Sequence, residues 1–250
     1  MSTPMTHSAS QDAVPLDPER YDAVTFDVYG TLIDWEPTIL DDLADWTAKA
    51  GASCGRADLL DMFDRARAHY QQLAPARSYP DVLRAAFAYV ANDLGLAVDV
   101  EVRERFAASV PSWPAYDDSV AALRRLKERF RLGALTNMDN ASFAASHARL
   151  EDCFDVVVTA ERAGAYKPSL RHFVLGLTDL AAMGIPPGRV LHVGQSLRAD
   201  VRPGNLLGLD TVFINRPGRG LGHKGFGAEL AVPAATYSTM AAFVADFLGV

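Results

Sequence analysis

YDAVTFDVYGTLID, residues 21–34, decides how the rest of the chain is read. A short apolar run, Ala23 to Phe26, ends on Asp27, and Val28, Tyr29, Gly30 and Thr31 follow. An apolar run stopped by a polar residue is the pattern of a strand buried on both faces and ending at a turn. A carboxylate at that tip has three uses: to bind a metal, to attack a substrate or to cap a helix.

Three further runs follow, ending in Thr136-Asn137, Thr159 and Gly194-Gln195-Ser196, and a fourth covers 210–215. Helical periodicity fills the gaps, over 119–130 and 170–183, with Gly184 as a stop signal. Strand and helix in alternation predict an α/β protein with a doubly wound parallel sheet of Rossmann-like type. Residues 38–50, 56–73, 80–94 and 100–110 carry helical patterns without a strand between them. This reads as an all-helical cap at 37–111, inserted after the first strand into an α/β core made of 19–36 and 112–250. Residues 1–18, rich in Ser, Thr, Pro and Asp, read as a floppy leader without the order of a signal peptide.

The 250 residues carry 24 basic against 31 acidic side chains, a net charge of −7, with no basic run. That argues against a nucleic-acid partner. No apolar stretch is long enough to span a bilayer, so no membrane partner is expected. Cys54 and Cys153 lack ligand-like spacing, which fits a cytoplasmic protein without a disulfide framework.

Ligands of open α/β sheets sit beyond the carboxyl ends of the strands. Asp27, Thr136, Asn137, Gln195, Ser196 and Asp200 should therefore converge there, with Lys167 from Ala165-Tyr166-Lys167-Pro168. A lysine beside Asp27 would keep that carboxylate ionised, and Thr31 would hydrogen-bond its other oxygen. His192, inside an apolar run, reads as a hydrogen-bonded core residue. The glycine-rich 220–227 segment reads as a flexible loop.

Taken in order, Asp27-Val28-Tyr29-Gly30-Thr31-Leu32, Thr136-Asn137, Lys167-Pro168 and Gly194-Gln195-Ser196-Leu197-Arg198-Ala199-Asp200 resemble the four motifs of the haloacid dehalogenase-like superfamily. The resemblance runs from Tyr21 to about Pro217, and the insert resembles that superfamily's C1-type cap. Most members are magnesium-dependent phosphatases with Asp-x-Asp in the first motif, the second Asp protonating the leaving group. Here Tyr29 holds that second place, and Gln195 replaces an acid of the fourth motif. Asp-x-Tyr-Gly-Thr is instead similar to the (S)-2-haloacid dehalogenases, which work without a metal or other cofactor. Val212-Phe213-Ile214-Asn215-Arg216 is similar to a further segment of theirs.

The resemblance implies a hydrolase that displaces halide from a small 2-halo acid through an ester on Asp27. Lys167 and Asp200 would orient Asp27 and water. Thr136, Asn137, Gln195 and Ser196 would meet the substrate, and Tyr29 and Trp35 would wall the pocket. Arg65 and Arg67 are both candidates for the cap arginine that meets the leaving group, with Arg65 preferred; an ungapped register puts Asp64 at that arginine's place. Leu197 departs from the family's asparagine. Relatives are often dimers, so a homodimer is compatible. A magnesium-dependent phosphatase, or hydrolysis of another strained or activated 2-substituted acid, stays open as the alternative.

Overall fold

The computed structural model describes residues 16–73, 76–219 and 221–249. The chain opens with β1 (Ala23–Phe26), then α1 (Glu36–Lys49), α2 (Arg56–Gln72), α3 (Tyr79–Asp93) and α4 (Val100–Ala107). The core resumes with α5 (Ser119–Lys127), β2 (Arg131–Thr136), α6 (Asn140–Arg149), β3 (Val156–Thr159), α7 (Ala160–Ala163) and α8 (Arg171–Ala182). It closes with β4 (Val190–Gly194), α9 (Arg202–Leu206), β5 (Asp210–Ile214), β6 (Ala235–Tyr237) and α10 (Met240–Leu248).

The strands form one parallel sheet in the order β3-β2-β1-β4-β5-β6. This is the doubly wound α/β architecture expected from the strand pattern. β1 and β4 are buried at every position, which requires helices over both faces. The chain runs outward from β1 through β2 to β3, then crosses back to β4 on the other side of β1. The crevice between the ends of β1 and β4 is thus the switch point where such sheets bind ligands.

Four helices occupy the segment between β1 and α5, as the periodicity predicts. The buried stripe of α2, Leu59, Met62, Phe63 and Ala66, has the 3-4 spacing of one helix face. Ser78 and Asp99 cap α3 and α4 by accepting from the N–H of Asp81 and Val102. Where the insert leaves and rejoins the core, the two crossings pair: Ile33 bridges Ala115 in antiparallel fashion. Asp34 N–H donates to Pro114 O at 2.8 Å, and Tyr116 N–H to Leu32 O at 3.0 Å. Trp113, fully buried, is packed there against Tyr29, Trp35 and Tyr79, with ring centroids 5.7, 6.3 and 6.1 Å away.

The ordered core begins before the expected end of the leader. Leu16 is buried, Asp17 caps a 3-10 turn at Pro18–Arg20, and the earlier leader residues, 1–15, lie outside the described residues. Among the described residues no helix is long and apolar enough to cross a membrane.

Candidate active site

Asp27 leaves β1 with its N–H donating to Val193 O of β4 at 2.9 Å, which fixes the carboxylate over the crevice. Its two oxygens have separate partners. Lys167 Nζ donates to Oδ1 at 2.9 Å, and Thr31 Oγ1 donates to Oδ2 at 2.7 Å. Lys167 Nζ also donates to Asp200 Oδ1 at 2.6 Å, and Ser196 N–H donates to Asp200 Oδ2 at 3.0 Å. The side chains of Lys167 and Asp200 are each 1% exposed, that of Asp27 9%. Two carboxylates therefore share one ammonium in a nearly dry site.

The electrostatics follow from that sharing. Burial raises the Asp27 carboxyl above the ordinary aspartate range, and Lys167 only partly opposes it. Burial acts on Asp200 too, but Lys167 and His192 outweigh it and hold that carboxyl below its usual range. Burial works against the Lys167 ammonium, yet Asp200 and Asp27 more than offset it and keep the lysine protonated.

Local structure explains how each group is held. Thr31 Oγ1 accepts from Gln195 N–H at 2.9 Å while donating to Asp27, so it ties the first motif to the fourth. Arg216 donates to Thr31 O through Nε at 3.3 Å and Nη2 at 2.8 Å. Ser196 Oγ caps the wide π-type turn at Leu197–Val201 by accepting from Ala199 N–H at 3.1 Å, and that turn carries Asp200 inward. Gly194 lies so close to Asp200 that a Cβ there would meet its side chain at 2.6 Å. His192 Nδ1 is 2.9 Å from Thr25 Oγ1, as a hydrogen-bonded core histidine should be, and its Nε2 faces Asp200 Oδ1 at 3.8 Å.

Asp27, Tyr29, Asn137, Lys167, Gln195, Ser196 and Asp200 all line one cavity of about 50 Å³. These seven, singled out from the sequence, lie together at one edge of the sheet. Tyr29 forms wall, its hydroxyl donating to Ser146 Oγ at 2.8 Å.

Three expectations need correction. Arg65 points to solvent, away from the cavity, and Arg67 lines it instead. On α2, position 67 is one turn beyond buried Phe63, whereas 65 falls on the far face. Trp35 stands one layer behind: the Arg67 guanidinium lies 4.9 Å from its ring centroid, and Trp35 does not line the cavity. Thr136 is fully buried as the last residue of β2, so the cavity wall begins at Asn137. Asn137 does reach the wall, but Lys167 holds its amide: Oδ1 accepts from Lys167 N–H at 2.7 Å and Nδ2 donates to Lys167 O at 3.4 Å. It positions the lysine.

Sequence reasoning did not single out Gln71, Tyr79 or Arg198, which also line the cavity. Gln71 repeats the Phe63–Arg67 spacing along α2, a signal the helix period contains. Tyr79 starts α3, its N–H donating to Asp139 Oδ2 of the core at 2.8 Å. Arg198 lies within the fourth motif, two residues before Asp200.

The donor set does not fit a magnesium ion. Lys167 Nζ holds Oδ1 of both Asp27 and Asp200, and Gln195 offers no carboxylate. Among the described residues no group of three or more His, Cys, Asp or Glu side chains gathers as a ligand set. What the arrangement supplies is an oriented, desolvated carboxylate beside a second, ionised one.

The fold and this cluster define a doubly wound α/β protein with its polar site at the switch point of the sheet. The chain belongs to the haloacid dehalogenase-like hydrolases, whose family model matches residues 21–208. An (S)-2-haloacid dehalogenase of Pseudomonas putida is 24% identical over 205 residues, covering 79% of this chain and 87% of that relative. An N-acylneuraminate-9-phosphatase of Mus musculus is 34% identical over 109 residues, covering 41% of this chain and 42% of its own. The crystal structure of an L-2-haloacid dehalogenase from Xanthobacter autotrophicus, with chloropropionic acid covalently bound, superposes with a TM-score of 0.70. It is 20% identical and covers 90% of this chain and 97% of that one, a likeness of fold.

Proposed function

We propose that this hydrolase uses Asp27 to displace a leaving group from the α-carbon of a small 2-substituted carboxylate, with hydrolytic dehalogenation of an (S)-2-haloacid as its reaction. The observation that carries the reading is Tyr29. It stands where phosphatases of the superfamily place a proton-donating acid, and its hydroxyl is engaged with Ser146 Oγ at 2.8 Å. Burial also holds that phenol well above its ordinary range. A leaving alkoxide needs a proton, whereas halide leaves without one.

In this mechanism an Asp27 oxygen attacks the α-carbon from the side opposite the halogen. The C–O bond forms as the carbon–halogen bond breaks, halide carries away the bonding pair, and the α-carbon inverts. Water then adds to the Asp27 carboxyl carbon of the ester. Asp200 takes the water's proton, and the donor on the non-bridging Asp27 oxygen, Lys167 on Oδ1 or Thr31 on Oδ2, stabilises the developing oxyanion. Collapse cleaves the bond between the acyl carbon and the substrate oxygen, and the proton passes to the departing 2-hydroxy acid.

The test is halide release from (S)-2-chloropropionate in the presence of EDTA, beside phosphate release from p-nitrophenyl phosphate with Mg²⁺. Chloride release that survives EDTA supports the reading. Phosphate release that needs Mg²⁺, without chloride release, would replace it with a phosphatase, the reading favoured by the likeness to the mouse enzyme. In ¹⁸O-water under single turnover, label is expected in Asp27.

A further inference from the structure

The donors facing the cavity fall into two groups. Most are already engaged: Lys167 with both carboxylates, Asn137 with the Lys167 backbone, and Tyr29 with Ser146. Arg67 is paired with Asp64, its Nε and Nη2 lying 3.2 and 2.5 Å from Oδ1. Two remain. Arg198 makes no hydrogen bond or ion pair among the described residues, although it is partly buried in the cavity wall. Gln71 is 6% exposed, and its Nε2 is buried without a partner. A buried amide N–H₂ left unpaired is costly, so native structures keep one chiefly where a ligand or water completes it.

Charge points the same way. Asp27, Asp200 and Asp64 contribute three negative charges, and Lys167, Arg67 and Arg198 three positive ones. Arg198 is the cation in that balance without a counter-ion of its own. Burial lowers its guanidinium pKa, with Arg67 adding to the effect, while Asp64 and Asp200 oppose it without touching it.

The glycine-rich loop is part of this construction. A Cβ on Gly225, whose φ is +104°, would meet Arg198 Cδ at 2.6 Å, and one on Gly222 would meet Gln195 O at 2.1 Å. The loop therefore packs backbone against the Arg198 stem and holds the guanidinium at the cavity.

Resting on the reading that the substrate is a 2-substituted carboxylic acid, we propose that Arg198 and Gln71 receive its carboxylate and select a small monocarboxylate. The acid group then meets the fourth-motif loop and α2 beside the end of β2, where Thr136 Oγ1 is also buried without a partner. Gln71 comes from the insert and Arg198 from the core, so the bound carboxylate bridges the two.

The test measures binding apart from turnover. Propionate, which has no leaving group, and its neutral isostere propionamide are titrated into the full chain by calorimetry. Propionate is expected to bind more tightly. Arg198→Leu should weaken propionate roughly 10- to 100-fold, as expected for loss of a charge-assisted hydrogen bond, and leave propionamide unchanged. Gln71→Leu should weaken propionate less, and Arg65→Leu not at all. If Arg198→Leu does not fold, Gly225→Ala and Arg198→Lys should show an intermediate loss.

Undiminished propionate binding in the Arg198 and Gln71 variants overturns the proposal, as does its loss only in Asn137→Ala. Absence of propionate binding, or tighter Arg198-dependent binding of inorganic phosphate, overturns the monocarboxylate assignment. Chloride release is read separately. A chain that dehalogenates without needing Arg198 keeps the proposed reaction and loses this receptor. One that binds propionate through Arg198 but releases no chloride does the reverse.

Discussion

Lys167 Nζ donates to Asp27 Oδ1 at 2.9 Å, with both side chains almost wholly withdrawn from water. Asp200 shares the same ammonium. Removing the lysine would leave two buried carboxylates facing one another. Lys167→Met should therefore cost about 3–5 kcal/mol of stability, the range for an uncompensated buried charge. Halide release should fall by roughly 10³-fold or more, as for loss of a group that acts in the transition state. Urea unfolding and steady-state kinetics check the two effects separately.

In the proposed reaction Asp27 must be ionised to attack. Because burial raises its carboxyl above the ordinary 3.8, kcat/KM should fall as pH drops through that raised value. The acid limb should thus stand above 3.8 in a pH–rate profile. An acid limb at or below 3.8 would contradict the burial described for Asp27.

Thr31→Val keeps the side chain's shape and removes its hydroxyl. Asp27 Oδ2 loses a donor and Gln195 N–H loses its acceptor. The expected stability loss is about 1–3 kcal/mol, the range for a buried polar group left unpaired. The drop in kcat should be roughly 10-fold or more, by loss of a preorganised donor. Thr31→Ser should recover much of both in melting and rate measurements.

Arg65→Ala and Arg67→Ala should behave differently although the two residues are near neighbours on one helix. The first is a surface change, expected within about 0.5 kcal/mol of the parent and with unaltered kinetics. The second strips a cation from the cavity wall and leaves Asp64 unpaired. Its KM for a 2-halo acid should rise roughly tenfold, in line with loss of a charge-assisted hydrogen bond.

Glu36 is buried at the start of α1, and burial, opposed by Arg219 and Arg67, raises its carboxyl from 4.5 to about 7. Between those values the unfolded chain releases a proton that the folded one keeps. Stability from this group is therefore lost as pH rises through the window, by about 3 kcal/mol at most. Glu36→Gln should melt higher than the parent at pH 8 and alike at pH 4.

The strand ends were legible because each buried strand is an apolar run stopped by a polar residue. Asp27, Asn137, Gln195 and Asp200 follow from that pattern directly. β6 was not legible: its middle residue, Thr236, is exposed, the other two are half-buried, and it carries no apolar run. The choice of Arg65 over Arg67 is an error of helical phase, since two positions turn a helix by about 200°. Gln71, Tyr79 and Arg198 escaped notice because their interest lies in what they lack or in what lies across from them. An unpaired amide and an uncompensated guanidinium are properties of packing. The glycine-rich loop likewise reads as slack in sequence, whereas Gly222 and Gly225 mark close approaches.

The insert departs and returns through neighbouring crossings, joined by the Ile33–Ala115 bridge. The proposed nucleophile and its partners, Asp27, Lys167 and Asp200, all belong to the other side of that junction. Mutation or exchange within residues 36–112 can thus rewrite Arg67, Gln71 and Tyr79 while leaving the reacting groups as inherited. In such a chain one continuous stretch can be exchanged to reshape one wall of the cavity, while Arg198 and the buried carboxylates stay with the rest.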